Sequence, residues 1–445
     1  MTKPTLSFLS LLLFFNFTSI VWPQQQATTA KQELPFPGIY MKREPEGNYL
    51  GPLAALQKRE ADYLASEQWR GMFYDMLSYA HSYVGNYAEA IAAYDKILDK
   101  GSLKEVNSHT LDRYSPKNAL DVIRSVADKE QVIMVNEQHY VPMHRAFTTQ
   151  LLPMLYAKGF RYLAVEAFNE RDTQLMERGY PIYQTGLYIS EPIFGDMLRT
   201  ALKLGFKIVP YEYQGKCQPK PDNPYFCPNE RERGQAQNIY DRILRDHPDA
   251  KILVHAGPGH VQEYRSKDVT IMAAHFQEIS KINPFTIDQT EMMEHSAPEY
   301  EESDYRYATL KGLIKEPTIF VSASGEFWKN KNGQFGTVDA QVFHPRVSYQ
   351  SGRPRWLRMK GLREPYAVDK SLWMSRGHEA SSPSSGMLLV QAFFAKEAEG
   401  AVPIDQVVIS GSKQKPVLML RQGVYRLRVI DETGKIKNEF KLVRK

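Results

Sequence analysis

Between Gln131 and Glu166 the chain changes periodicity twice. Val132–Val135 and Tyr162–Val165 are unbroken apolar runs of strand length, while Val141, Phe147, Leu151, Leu152 and Leu155 between them recur at helical spacing. This pattern predicts strand, helix, strand, one βαβ unit. Further apolar runs predict strands at Lys207–Tyr211, Lys251–Val254 and residues 317–321. Helical patterns fill the gaps. One starts at Ser190-Glu191-Pro192, where a capping side chain precedes an early proline, and stops near Gly205; others cover residues 229–245 and 269–279. Strands alternating with helices predict an α/β fold, a mostly parallel sheet with helices on both faces, over residues 111–370.

The flanks follow other rules. Residues 53–98 are helical throughout, and Tyr74, Leu77, Ser78, Gly85, Tyr87, Ala90, Tyr94 and Ile97 match the spacing of one tetratricopeptide helix pair. A single repeat cannot bury its own face. Residues 51–105 therefore read as a helical cap on the α/β domain, with docking of a protein partner as the other use of such a pair. Residues 24–50 are polar and proline-bearing and predict a loose linker. Residues 325–366 lack periodicity and include Gly352–Arg358, and an irregular stretch of that length is usually functional or wraps another element. A Ser/Pro/Gly linker at 381–386 leads into short β-type runs with turn residues such as Thr433-Gly434, predicting a small β-sandwich-like module over residues 386–445.

Composition narrows the partners. The 56 basic and 51 acidic residues leave a net charge of +5, and no run of five like charges occurs, so nothing points to nucleic acid. Residues 1–23 carry one Lys and an apolar block from Leu6 to Val21, and a Gln-rich stretch follows from Gln24. That order predicts a signal peptide and an exported protein, periplasmic or secreted, with no membrane span after its removal; an uncleaved anchor is the alternative. The only two cysteines, Cys217 and Cys227, bracket a proline-rich loop. In an exported chain they predict a disulfide closing it.

Titratable side chains gather at the predicted strand ends. Glu137 and His139 follow the first strand, Glu166 ends the second, and His255 with Gly257-Pro258-Gly259-His260 follows the run at 251–254. Ligand crevices of open parallel sheets lie outside the carboxyl ends of the strands, so these groups are expected to converge. His255, one residue off its strand, reads as buried and hydrogen-bonded; Glu212 is a weaker candidate by the same geometry; His144 and Arg145 face either the crevice or solvent. Carboxylates and imidazoles in one place suit a divalent metal site. They equally suit general-base activation of water without metal.

Asn136-Glu137-Gln138-His139, Glu166, Arg231-Glu232-x5-Asn238 and Gly257-Pro258-Gly259-His260 together resemble, in order, the motifs of the erythromycin esterase/ChaN-like and Tiki/TraB superfamily, over about residues 111 to 300. The resemblance implies that His139, Glu166 and His260 are central, with Glu137 beside them and Arg231 binding an anionic group or orienting a carboxylate. Asn136 stands where that family has glycine, and asparagine tolerates unusual backbone angles better than most residues. The superfamily holds esterases, metal-dependent proteases and proteins associated with haem binding. Its likeness implies a hydrolase of a small-molecule or peptide substrate, with Glu137, His139, Glu166, Arg231 and His260 catalytic and a divalent metal on His139, Glu166 and His260. The alternative is a haem- or iron-binding envelope protein using Tyr140 or His144. A third reading is an interaction protein in which the α/β site is vestigial.

Overall fold

Gly85 turns the chain at φ 83°, in the left-handed region that glycine enters freely, and so separates helix α1 (Arg70–Tyr83) from α2 (Tyr87–Tyr94). The computed structural model describes residues 34–100, 110–331, 333, 336–372, 386–410 and 415–444; the signal-like block lies outside them. The hairpin buries Leu77, Ala80, Val84 and Ala93 in one cluster with Leu389, Val408 and Ile430 of the C-terminal region. Residues 34–50, expected as loose linker, are instead packed. The reason is aromatic content: Tyr49 is buried and donates its hydroxyl to the Ser190 carbonyl at 2.6 Å, and Arg43 reaches the Ser190 hydroxyl at 2.5 Å.

The central sheet has six strands, β1 (Val132–Asn136), β2 (Phe160–Val165), β3 (Lys207–Pro210), β4 (Lys251–Ala256), β5 (Phe285–Asp288) and β6 (Ala340–Gln341). Their order is β3-β2-β4-β1-β5-β6, and each neighbouring pair is parallel. The continuous apolar runs now make sense, since alternate residues serve opposite faces. Ile133, Val135, Leu163, Val165 and Leu253 point into a core with α3 (Pro142–Ala157) and α4 (Pro192–Leu204). Val132, Met134, Ala164, Ile252 and Val254 point into another with α5 (Phe226–Ile239) and α6 (Met272–Ser280). The chain runs one way through β1, β2 and β3 and then back through β4 and β5. That reversal opens a crevice at the carboxyl ends of β2, β4 and β1.

One expectation about strands is corrected, and two strands were not anticipated. The run at 317–321 forms Thr318–Ser322, but it pairs antiparallel with Tyr114–Asn118 outside the main sheet. Its place is taken by β5 and β6, whose polar residues hide them from a periodicity test. Those residues are buried because they are bonded: Thr286 donates to Glu263 at 2.7 Å, and Asp288 accepts from Asn136 at 2.8 Å and from Gln341 at 3.0 Å.

The C-terminal region is antiparallel, with β7 (Leu388–Phe394), β8 (Asp405–Ile409), β9 (Gly423–Asp431) and β10 (Ile436–Arg444) in the order β8-β7-β9-β10. Residues 373–385, which hold most of the expected Ser/Pro linker, lie outside the described residues. Cys217 and Cys227 are disulfide-bonded just where α5 begins. No helix among the described residues is long and apolar enough to cross a membrane.

One buried carboxylate joins the C-terminal region to the α/β core. Asp196 on α4 accepts from Arg363 at 2.9 and 2.5 Å and from Arg421 at 3.1 Å, and both Asp196 and Arg363 are fully buried. Replacing Asp196 by Ala strands two guanidinium groups next to a low-dielectric core. The expected cost is about 3–5 kcal/mol of unfolding free energy, measured by urea titration of the purified variant; a loss under about 1 kcal/mol would show that the pair is solvated and the joint is loose.

Candidate active site

Glu137 follows the last residue of β1, and its backbone N–H still bonds the Ala256 carbonyl of β4 at 2.8 Å. Its carboxylate therefore points into the seam between those strands and the start of α3. There Arg145 grips it with two bonds of 2.6 Å, while His255 Nε2 and His139 Nδ1 each lie 2.8 Å away. Burial alone would push this carboxyl up, but Arg145 and His255 outweigh it and hold Glu137 well below the usual carboxylate range. A carboxylate only accepts, so the neutral form of His139 carries its proton on Nδ1 and has its lone pair on Nε2. The imidazole keeps 14% of its side-chain surface exposed and stacks on Tyr188, centroids 3.8 Å apart and 10° from parallel.

Glu166, at the tip of β2, is the second carboxylate. Its Oε2 accepts from the Gly257 backbone N–H, and its Oε1 lies 2.8 Å from Arg231 Nη2 and 3.3 Å from His260 Nε2. Burial raises its pKa, but His260 and Arg231 overcome this and hold it well below its ordinary value. His260 sits between Glu166 and Glu232, whose oxygens are 2.9 Å from Nδ1. Desolvation opposes its charge, yet the two carboxylates push its pKa up to about 10. Arg231 Nη1 is 3.0 Å from the same Nε2. With His260 protonated, that nitrogen donates to Glu166, and the Arg231 contact is two cations sharing one acceptor. Arg231 is anchored from behind by two bonds to Glu212, at 2.9 and 2.6 Å.

Helix geometry explains which neighbour each side chain finds. Arg231 and Gln235, four apart on α5, both reach Glu212. Glu232, one residue on, points elsewhere: to His260 and to the Met272 N–H that opens α6, at 2.8 Å. Gly257 has to be glycine because a Cβ there would stand 2.8 Å from Glu166 Oε2 and 3.0 Å from His139 Nε2. Ala167, next to Glu166, is held at φ 60°, the kind of backbone strain that collects at functional sites.

The structure thus brings Glu137, His139, Glu166, Arg231 and His260 together. Glu212 joins them as the support of Arg231, and His255 is buried as expected. Asn136 differs from expectation, since it keeps strand backbone and contributes its side chain instead, donating to the Pro258 carbonyl at 2.9 Å and pinning the Gly-Pro-Gly-His turn. Tyr140 does not join the cluster; it is buried and stacked on Tyr94 at 4.1 Å. Nor does His144, which is fully buried, accepts from the Gln138 N–H at 3.0 Å, and is held neutral by desolvation. Neither is placed to meet a haem at this cleft.

Among the described residues no three His, Cys, Asp or Glu side chains are placed to hold a metal ion. The donor set also does not fit one. Glu166 Oε1 is taken by Arg231 and His260, His260 is held protonated between two carboxylates and so has no lone pair to offer, and the Arg231 guanidinium supplies the positive charge between Glu166 and His260.

No family model matches the chain, and no curated protein does. Among solved structures, the type III effector HopBA1 aligns at 14% identity over 52% of this chain and 96% of its own, with a TM-score of 0.31. RRSP, a MARTX toxin effector domain from Vibrio vulnificus CMCP6, aligns at 16% identity over 53% of this chain and 45% of its own, with a TM-score of 0.30.

Sequence reasoning left Arg145 open between crevice and solvent and passed over two further contributors. Arg145 is a charge on the buried face of a helix, and its position among Val141, Phe147 and Leu151 was the available signal. Tyr188 and Asp75 gave none. Asp75 comes from the cap, where burial pushes its carboxyl up to about 6 against the pull of nearby His139 and a hydrogen bond with Tyr79. Tyr79 in turn packs edge-on against Tyr188 at 5.7 Å.

His260 titrates above its unfolded value of roughly 6.5. Its contribution to stability is therefore complete below that pH and is lost as the pH rises through about 10. Glu166 is depressed, so its contribution is present above roughly pH 4.3 and is lost as the pH falls through the folded-state value. Denaturant midpoints of the native protein should therefore fall between pH 7 and pH 10, and those of His260→Gln should fall less steeply. Parallel profiles would mean that His260 is not charged in the folded state.

Proposed function

We propose that the cleft hydrolyses an ester or amide bond, with His139 as general base. What supports this reading is one arrangement: an imidazole oriented from behind by an ionised, buried carboxylate, with its free nitrogen beside Glu166 and two cations. A water molecule donating to His139 Nε2 and Glu166 Oε2 would lie in the space that Gly257 leaves open. His139 removes one proton, the water oxygen bonds to the substrate carbonyl carbon, and the negative charge gathers on the carbonyl oxygen beside Arg231 and His260. As the bond to the leaving group breaks, His139 returns the proton to the departing alkoxide or amine. The products are a carboxylic acid and an alcohol or amine, and no proton is gained or lost overall.

Glu166 cannot take the base's place. Its depressed pKa makes it a poor proton acceptor, and it serves instead to fix Arg231 and His260. The haem reading is set aside because Tyr140 and His144 are buried outside the cleft. The Cys217–Cys227 disulfide supports placing this activity in an oxidising compartment.

A panel of chromogenic esters and peptide amides tests the proposal. His139→Gln should lower kcat/KM by about 10²–10⁴-fold with unfolding midpoints unchanged. Gly257→Ala adds only a methyl group, which would meet Glu166 and His139, and should lower turnover by a comparable factor. Turnover that survives both substitutions would remove His139 from the chemistry.

A further inference from the structure

A second cavity, of about 430 Å³, opens between α2, the start of α3 and the irregular stretch around residues 347–356. None of Glu137, His139, Glu166, Arg231 and His260 lines it, and Tyr140 in its wall stacks on Tyr94 with rings 4.1 Å apart and 20° from parallel. Its walls are aromatic. Tyr87 and Trp356 meet at one corner with centroids 5.0 Å apart and 55° between planes, Tyr140 forms another side, and Tyr349, 51% exposed, stands at the mouth.

Carboxylates lead at this cavity, and its one imidazole, His295, is paired with Asp95 at 2.6 Å. Glu89 and Glu294 line it, and no Lys or Arg does. After burial, these two carboxylates are what push the Tyr349 hydroxyl upward, so both charges are felt at the mouth. Two guanidinium groups lie close by, Arg346 paired with Glu294 and Arg353 standing 5.6 Å from the Tyr87 ring centroid, but each is held more tightly by another carboxylate. Arg346 makes two 2.7 Å bonds to Glu301 besides one of 3.2 Å to Glu294, and Arg353 is bound to Asp405 at 2.6 Å.

We propose that this cavity binds an organic cation whose head is an alkylated ammonium group. Ring faces attract a cation through their quadrupoles, and the alkyl shell of such a head buries against them as any apolar group does. Glu89 and Glu294 offset the charge without needing direct contact. An inorganic cation would lose its water here and gain few oxygen ligands in exchange. A neutral group of the same shape would gain burial alone. Any cation bearing this head fits the chemistry, whether free in solution or carried on a methylated lysine side chain. The proposal does not rest on hydrolysis at the neighbouring cleft.

Titration of the full-length protein with choline, followed by calorimetry and by tryptophan fluorescence, tests it against 3,3-dimethylbutan-1-ol, the uncharged analogue of the same shape. Choline should bind saturably and about tenfold or more tightly than the alcohol. Trp356→Leu and Glu294→Gln should each weaken choline several-fold, and so should Glu89→Gln, an exposed substitution on α2 that leaves the fold alone. His139→Gln should change nothing. Trimethyl-lysine binding more tightly than choline would assign the site to a peptide-borne cation, and the reverse to a free one. Equal affinity for choline and the alcohol, absence of saturation, or choline binding indifferent to both Glu89→Gln and Trp356→Leu would each overturn the proposal.

Discussion

A carboxylate stripped of water stays ionised only if other groups replace its hydration, and Glu137, 1% exposed, meets that demand with partners from three parts of the fold. Arg145 comes from the first turn of α3, His255 from β4, and His139 from the loop leaving β1. Arg145 extends the network at 3.0 Å to Glu191, which caps the N-terminus of α4 by accepting from the Ile193 and Phe194 N–H groups. One buried charge thus fixes where two strands and two helices meet. His139 is aimed by the same bonds that hold the sheet's switch point together.

The reversal of the sheet divides the work between its faces. Helices α3 and α4, on one side, hold and orient His139. Helix α5, on the other, supplies Arg231 and Glu232, and through them sets the charge on His260. Glu166, at the tip of β2, bonds the cationic side directly and stands beside His139. The cap reaches the cleft with Asp75, whose charge is felt by His139, and with Tyr79, which packs on Tyr188, so the helical hairpin does more than bury its own apolar face. Buried ion pairs of this kind are weak evidence for stability. Here they are read as what gives each functional side chain a single position.

Legibility in the sequence followed element length and polarity. Runs such as Val132–Val135 and Lys251–Val254 are buried on both faces and announced themselves, whereas β5 and β6 are four and two residues long and owe their burial to hydrogen bonds from distant residues. The five residues expected to carry chemistry do converge, because strand ends of a parallel sheet share one edge whatever the details. Tyr140 and His144 were a different matter. Within a few residues of a strand end the chain turns into α3, and neighbouring side chains part company: His139 faces the cleft, Tyr140 the cap and His144 the core. Asp75 and Tyr188 reach the site from elements whose packing no local spacing encodes. The hairpin at 70–94 was readable from its own pattern, but its contact with Leu389, Val408 and Ile430 was not.

Everything proposed for this cleft turns on which nitrogen of His139 carries the proton, and nitrogen NMR of histidine-labelled protein reads that directly. The expected spectrum shows a protonated Nδ1, with its hydrogen shifted downfield by Glu137, and a bare Nε2. Substituting Glu137→Gln should abolish both features. A native His139 protonated on Nε2, or one whose spectrum is indifferent to that substitution, would contradict it.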